Sequence, residues 1–253
     1  MGSQTAHGVS GPLSSTYNND AHPDPEHTVP TTRYPFSAVL FDMDGTVFDN
    51  VPLHQAVWRQ FTRRHGLTLT DIELDFAKGR KAVEVVAHFW PTASPSDVSA
   101  LTTERQELYR SQLADSDLVL PVAGVEKFLD ALGTVGVPRV LATDAPRANV
   151  EAIFRKFPFA AFFDAIVTSD DVRHGKPHPE IFLAAAARAG VAPAACLVAE
   201  DSAAGVASAR AAGCRCLGLL TTQVEAELLR QGADYVARDF LSLPAELQCH
   251  GAR

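Results

Sequence analysis

The sequence offers no apolar run that could cross a membrane, no basic run and no cysteine pattern. Its clean apolar stretches are short, Ile181 to Ala187 being typical, whereas a spanning helix needs about 18 or more apolar residues. No membrane partner is expected. The 253 residues carry 22 Lys and Arg against 30 Asp and Glu, a net charge of −8 at pH 7. An acidic chain without a basic stripe suits a nucleic-acid backbone poorly, so no nucleic-acid partner is expected either. The few cysteines are Cys196, Cys214, Cys216 and Cys249. Their spacing fits neither a disulfide framework nor a CxxC zinc site. Cys214 and Cys216 alternate within an apolar run and are expected on one side of one strand. They read as small buried hydrophobes in a reducing, cytoplasmic compartment. Hydrophobic residues make up 46% and charged residues 21%, enough for a real core. At about 150 residues per domain, the length fits one large domain or one domain with a sizeable insertion.

Residues 1–35 lack Ile, Phe, Trp and Cys and are rich in Gly, Ser, Thr, Asn, His and Pro. Such a segment cannot bury enough apolar surface to offset its chain entropy, so a disordered N-terminal tail is expected there. It has neither a basic start nor an apolar core, so it does not read as a secretory signal.

From Phe36 onward, short apolar runs alternate with helical patterns. Ser37 to Phe41, Val137 to Ala142, Ala165 to Thr168, Cys196 to Ala199, Cys214 to Leu219 and Tyr235 to Ala237 read as strands. Helical patterns fill 123–133, 147–156, 178–189, 202–212 and 223–231, and Gly190, Gly213 and Gly232 follow three of them as stops. The alternation predicts an α/β fold with a doubly wound, mainly parallel sheet. Ligands of such sheets sit outside the carboxyl ends of the strands. The polar residues that close the first, second and fourth strands are therefore expected to converge. Residues 51–119 are too many for a simple crossover. Pro52 to His65, with Leu53, Val57 and Phe61 as a stripe, reads as a helix that stops at Gly66, and Thr70 and Ser96 as N-caps of later helices. This gives a core at 36–50 and 120–253, and a helical cap at 51–119 able to close over the site.

Four segments at strand ends carry chemistry. Asp42-Met43-Asp44-Gly45-Thr46 places two carboxylates two residues apart. One can attack phosphorus while the other moves protons; the bland reading is a strand end with acidic caps. Thr143-Asp144-Ala145 offers a hydroxyl and backbone amides to a phosphate oxygen, or a plain helix cap. Gly175-Lys176-Pro177-His178-Pro179 carries an ammonium on a proline-stiffened loop, or a solvated lysine. Glu200-Asp201-Ser202 supplies hard oxygen ligands of the kind Mg2+ prefers, or helix caps. His65, His88, His174 and His178 show no metal-ligand spacing with one another and are treated as surface or core residues.

In this order, the four segments resemble the haloacid dehalogenase-like hydrolase superfamily, within it the sugar-phosphatase and β-phosphoglucomutase-like subgroup with a helical cap after the first motif. The match runs from residue 37 to about 237. The resemblance implies a Rossmann-like sheet with an inserted cap. It implies Asp42 as nucleophile, Asp44 as general acid and base, Thr143 on the phosphoryl oxygens and Lys176 steadying nucleophile and phosphate. It also implies Mg2+ held by Asp42, the Asp44 carbonyl, Glu200 and Asp201. Retention of Asp44 favours phosphate esters over carbon–halogen or phosphonate substrates. One departure is Asp144, where many relatives carry Asn: either its carboxylate points away, or phosphate affinity is reduced.

Within the cap, His54 stands where the subgroup places a histidine beside the acid/base aspartate, and Trp58 follows one turn later. His54 reads either as orienting Asp44 or a substrate hydroxyl, or as a helix-surface histidine. Lys78-Gly79-Arg80-Lys81 could approach the substrate through Gly79 and Arg80, or form a basic, solvated helix start. The mutase subgroup has an arginine where this chain has Ala82. The expected function is a Mg2+-dependent phosphatase of a small phosphorylated metabolite, a sugar or polyol phosphate, acting through an aspartyl-phosphate. The expected partner is that small phosphate ester, and the expected state a monomer or weak homodimer. The alternatives are a β-phosphoglucomutase-like phosphosugar mutase and a non-catalytic domain that binds a phosphorylated ligand.

Overall fold

The structure, a computed structural model, describes residues 34–77 and 79–248. Residues 1–33 of the expected tail, Lys78 and Cys249 lie outside the described residues. The tail expected over 1–35 ends sooner: Tyr34 is already buried, its ring 6.1 Å from Phe36 and 6.3 Å from Phe128.

Six strands form one parallel sheet. They are β1 (Ala38–Phe41), β4 (Arg139–Ala142), β5 (Ala165–Val167), β6 (Cys196–Glu200), β7 (Arg215–Leu219) and β8 (Tyr235–Ala237), in the order β5-β4-β1-β6-β7-β8. Successive strand side chains point to opposite faces, and β1 shows the result. Val39 and Phe41 enter one apolar cluster with α5 (Val125–Thr134) and α6 (Arg147–Lys156). Ala38 and Leu40 enter another with α7 (Glu180–Ala189), α8 (Ala203–Ala211) and α9 (Glu225–Gln231). Cys214 and Cys216 both lie in this second cluster, as their alternation predicts. Both faces are covered, which is why every β1 residue is apolar and buried.

The chain runs from β1 to β4 and β5 on one side, then returns to β6, β7 and β8 on the other. The winding therefore reverses at β1, where open α/β sheets leave a crevice at the strand ends.

A two-stranded antiparallel ribbon, β2 (Phe48–Asp49) with β3 (Leu120–Pro121), has no counterpart in the sequence reading. Between its strands stand α1 (Val51–Arg64), α2 (Asp71–Phe76), α3 (Ala82–Phe89) and α4 (Pro95–Leu113). This helical insertion has its own apolar cluster of Trp58, Phe61, Leu69, Leu74, Val85 and Val86. Thr70 caps α2 as expected, through a capping box with Glu73. The start of α4 differs: its cap is Ser94, not Ser96, because Pro95 takes the first helical position and Asp97 completes the box. Among the described residues, no helix is long and apolar enough to cross a membrane.

Candidate active site

The ends of β1, β4 and β6 meet as their register requires. Phe41 is level with Leu141 and Ala199, so Asp42 lies beside Ala142 and Glu200. Lys176, from the loop after β5, reaches into this corner and is buried. Its Nζ lies 2.5 Å from Asp42 Oδ1, 2.6 Å from Glu200 Oε1 and 3.3 Å from the Ala142 carbonyl oxygen. Burial disfavours the ammonium, but Asp42, Glu200 and Asp144 outweigh it and hold Lys176 protonated.

Glu200 is committed on both oxygens. Oε1 takes Lys176, and Oε2 accepts the amides of Asp201 and Ser202 and the Ser202 hydroxyl. A glycine is needed where α8 passes, since a Cβ on Gly205 would lie 1.8 Å from Glu200 Cδ. Asp201 accepts Thr46 Oγ1 at 3.0 Å on Oδ1 and Thr222 Oγ1 at 2.6 Å on Oδ2. Gly45 crosses directly over it at φ +87°, where a Cβ would stand 2.2 Å from Asp201 Oδ2.

The ligand oxygens of Asp42, Glu200 and Asp201 lie within 4.8 Å of one another, all buried. Burial pushes the Asp42 carboxyl up; Lys176 pulls it down, and the neighbouring carboxylates add to the rise. Burial and Glu200 push Asp201 up to about 7. Three buried carboxylates facing one ammonium leave negative charge unbalanced, and the donors are hard oxygens. This set fits a small divalent cation such as Mg2+.

Asp44 turns towards the helical insertion. Its Oδ1 accepts Asn50 Nδ2 at 2.5 Å and lies 3.5 Å from His54 Nε2. Burial raises the Asp44 carboxyl, but His54 and Asn50 outweigh it and hold it below its ordinary value. Arg105 Nη2 lies 2.7 Å from His54 Nδ1. A guanidinium only donates, so Nδ1 must accept, and the neutral ring carries its proton on Nε2, towards Asp44. Tyr109 stacks on this ring at 4.3 Å and accepts a second Asn50 hydrogen bond at 3.0 Å. Arg105 is buried over the Trp58 ring at 4.5 Å. Of the two readings of His54, the structure thus favours the ring beside Asp44 over a helix-surface histidine.

Thr143, Asp144, Gly79 and Arg80 line the same cleft, with one qualification each. Thr143 is buried and accepts the Ala145 amide at 3.1 Å, which leaves its hydroxyl proton to donate. Asp144 commits Oδ2 to the Lys176 amide at 2.8 Å, so this oxygen turns to the lysine loop. Gly79 packs on Ser202, where a Cβ would lie 2.5 Å from Oγ. Arg80 stacks on Phe76 at 4.7 Å and makes no hydrogen bond or ion pair among the described residues. Lys81 is not solvated, as a basic helix start would be. It is buried, and its Nζ donates to the carbonyls of Val172 at 3.0 Å and Ser169 at 3.2 Å.

Asn50, Arg105 and Tyr109 were absent from the sequence reading. Arg105 and Tyr109 are four apart and share one face of α4, but nothing local marks an arginine as buried. Asn50 stands directly before α1 and reads as an N-cap, yet its side-chain oxygen accepts no cap bond; the amide is turned so that Nδ2 donates to Asp44 and Tyr109.

Comparison with known proteins agrees with this geometry. The profile of the haloacid dehalogenase-like hydrolases matches residues 36–213. Fructose-1-phosphate phosphatase YqaB of Escherichia coli is 35% identical over 180 residues, covering 70% of this chain and 93% of the relative. Validoxylamine A 7'-phosphate phosphatase of Streptomyces hygroscopicus is 32% identical over 81% of this chain and 94% of its own. Hexitol phosphatase A of Escherichia coli is 32% identical over 71% and 81%. Among solved structures, a family IA, variant 3 hydrolase from Entamoeba histolytica superposes with a TM-score of 0.76 at 30% identity, over 83% of this chain and 96% of that one. A β-phosphoglucomutase from Clostridium difficile shares the fold, with a TM-score of 0.73 at 22% identity. The chain belongs to the haloacid dehalogenase-like hydrolases and is a phosphatase.

Proposed function

We propose that the protein hydrolyses a sugar or polyol phosphate, with Mg2+, through an aspartyl-phosphate on Asp42. The observation that carries this is the pairing of two differently treated carboxylates across one cleft. Asp42 is fixed by Lys176 at 2.5 Å, whereas Asp44 is held by groups of the helical insertion. The named substrates of the relatives, fructose 1-phosphate and validoxylamine A 7'-phosphate, support a hydroxyl-rich phosphate ester.

In this reaction an Asp42 oxygen attacks phosphorus and the ester P–O bond breaks. Asp44 gives its proton to the departing alkoxide. It starts ionised, and the arriving phosphate, a like charge, raises its pKa so that a proton is taken up with the substrate. Water then attacks the phosphoryl group and gives its proton to Asp44, and the bond to Asp42 breaks to release phosphate. Thr143 donates to a phosphoryl oxygen. Lys176 keeps Asp42 aimed and offsets charge on the phosphoryl group as it transfers. Asp42, Glu200, Asp201 and the Asp44 carbonyl would hold Mg2+, which supplies charge neutralisation at the phosphate. His54 keeps Asp44 turned into the cleft. Gly79 lets the insertion approach closely, Arg80 offers the substrate a cation with no hydrogen-bonding partner among the described residues, and Asp144 steadies the lysine loop.

The test is phosphate release from a panel of sugar, polyol and short-acid phosphates with Mg2+, wild type beside D42N. Turnover of sugar or polyol phosphates, lost in D42N and in chelator, supports the reading. No release from any compound would sink it, and turnover confined to short-acid phosphates would overturn the substrate class.

A further inference from the structure

A second cluster of ligating side chains lies outside the cleft, on the loop that carries Lys176. His174 and His178 flank that lysine, and Glu180 opens α7. In the sequence, His174 and His178 show no metal-ligand spacing. The fold brings them together: the two rings lie 4.5 Å apart. His174 Nδ1 is 2.9 Å and His178 Nδ1 3.8 Å from Glu180 Oε2. Ligand atoms of all three residues lie within 4.8 Å of one another.

The carboxylate is not a free-swinging partner. Glu180 Oε1 accepts the Arg173 amide and Oε2 the His174 amide, each at 3.0 Å, which leaves Oε2 turned to the imidazoles. A tetrahedral zinc ion with ligands at about 2.0–2.1 Å separates neighbouring ligand atoms by about 3.3 Å. The observed 2.9 and 3.8 Å bracket that spacing. The imidazole side chains are 62% and 50% exposed, so an ion can reach them. Two imidazoles with one carboxylate suit Zn2+, Ni2+ or Cu2+; a hard ion such as Mg2+ prefers the oxygen set at Asp42, Glu200 and Asp201. His178 Nδ1 also accepts the Glu180 amide at 3.3 Å, a bond the metal would displace.

We propose that His174, His178 and Glu180 form a second metal site, selective for divalent transition ions of the zinc class. Bound there, the ion clamps both ends of the Lys176 loop to the start of α7. The site is independent of the phosphatase reaction, and its failure would leave that reading untouched.

The experiment is calorimetric titration of Zn2+ into the full chain in saturating Mg2+, which occupies the carboxylate site. Wild type is compared with H174A, H178A, their double variant and E180Q. The expected result is one equivalent of Zn2+ whose affinity falls about tenfold or more in each single variant and is lost in the double variant. Imidazole 15N spectra of wild type serve as a second readout that needs no variant to fold. Two ring systems should shift on Zn2+ addition and stay unchanged with Mg2+ alone. Equal Zn2+ binding by wild type and the double variant, or unshifted rings in wild type, would overturn the site. E180Q binding as tightly as wild type would overturn the carboxylate's part in it.

Discussion

In the proposed reaction Asp44 gives a proton to one oxygen and takes one from another, so its loss should show most with poor leaving groups. D44N is expected to lower kcat for a sugar phosphate about 10²–10⁴-fold. An ester with an acidic leaving group, such as p-nitrophenyl phosphate, should lose much less; equal losses on both esters would remove Asp44 from the acid role. His54 makes a separate prediction about stability. Burial pushes its imidazole below the ordinary 6.5; Asp44 pulls it back up and Arg105 pushes it down. From 6.5 down to that lower value, the unfolded chain binds more protons here than the folded chain. This contribution is complete above 6.5 and is lost as pH falls through the window. H54N removes the titration, so its Tm should drop less between pH 7.5 and 5.5 than that of wild type. The carboxylates were legible in the sequence because they directly follow strand ends, and Lys176 because it stands between a glycine and a proline on the loop that precedes a helix. Arg105 and Tyr109 were not, because only the packing of α4 on α1 places them against His54.

At the scale of elements, the loop between α2 and α3 is where the insertion grips the core. Lys81 spans from it to the carbonyls of Ser169 and Val172, just before the Lys176 loop, and a Cβ on Gly175 would lie 2.7 Å from its Cγ. A charged hydrogen bond of this kind contributes about 1.5–3 kcal/mol. K81M keeps the aliphatic stem and leaves those carbonyls without the ammonium. It is expected to lower kcat/KM about tenfold or more, with Asp42 phosphorylation still detectable; an unchanged kcat/KM would show the contact to be idle. The six parallel strands were foreseeable because a buried strand writes a continuous apolar run between glycine and proline signals. The β2–β3 ribbon was not, since two residues per strand carry no period, and its partners are brought together only by the folded insertion between them. The cap of α4 was misplaced by two residues because Ser94 and Ser96 are equally good caps until Pro95 decides between them.

For the whole molecule, both sheet faces are sealed, and the thiols report on the seal. Burial raises the Cys196 thiol to about 11 and, with Cys196 beside it, the Cys214 thiol to about 12; burial also raises Cys216. Thiolates are the reactive form. At pH 8 a disulfide reagent should therefore spare these three in the folded protein and modify them on unfolding. Reaction of any of them in the native state would show that the α7–α8 face opens.

The central claim is that phosphate passes through Asp42. Its most direct test is a rapid acid quench of a single turnover with a 32P-labelled sugar phosphate that the panel identifies as a substrate. The expected result is transient label on the wild-type chain, released by hydroxylamine as an acyl-phosphate is, and absent from D42N. Phosphate release from wild type with no labelled protein at any quench time, or label on D42N, would contradict it.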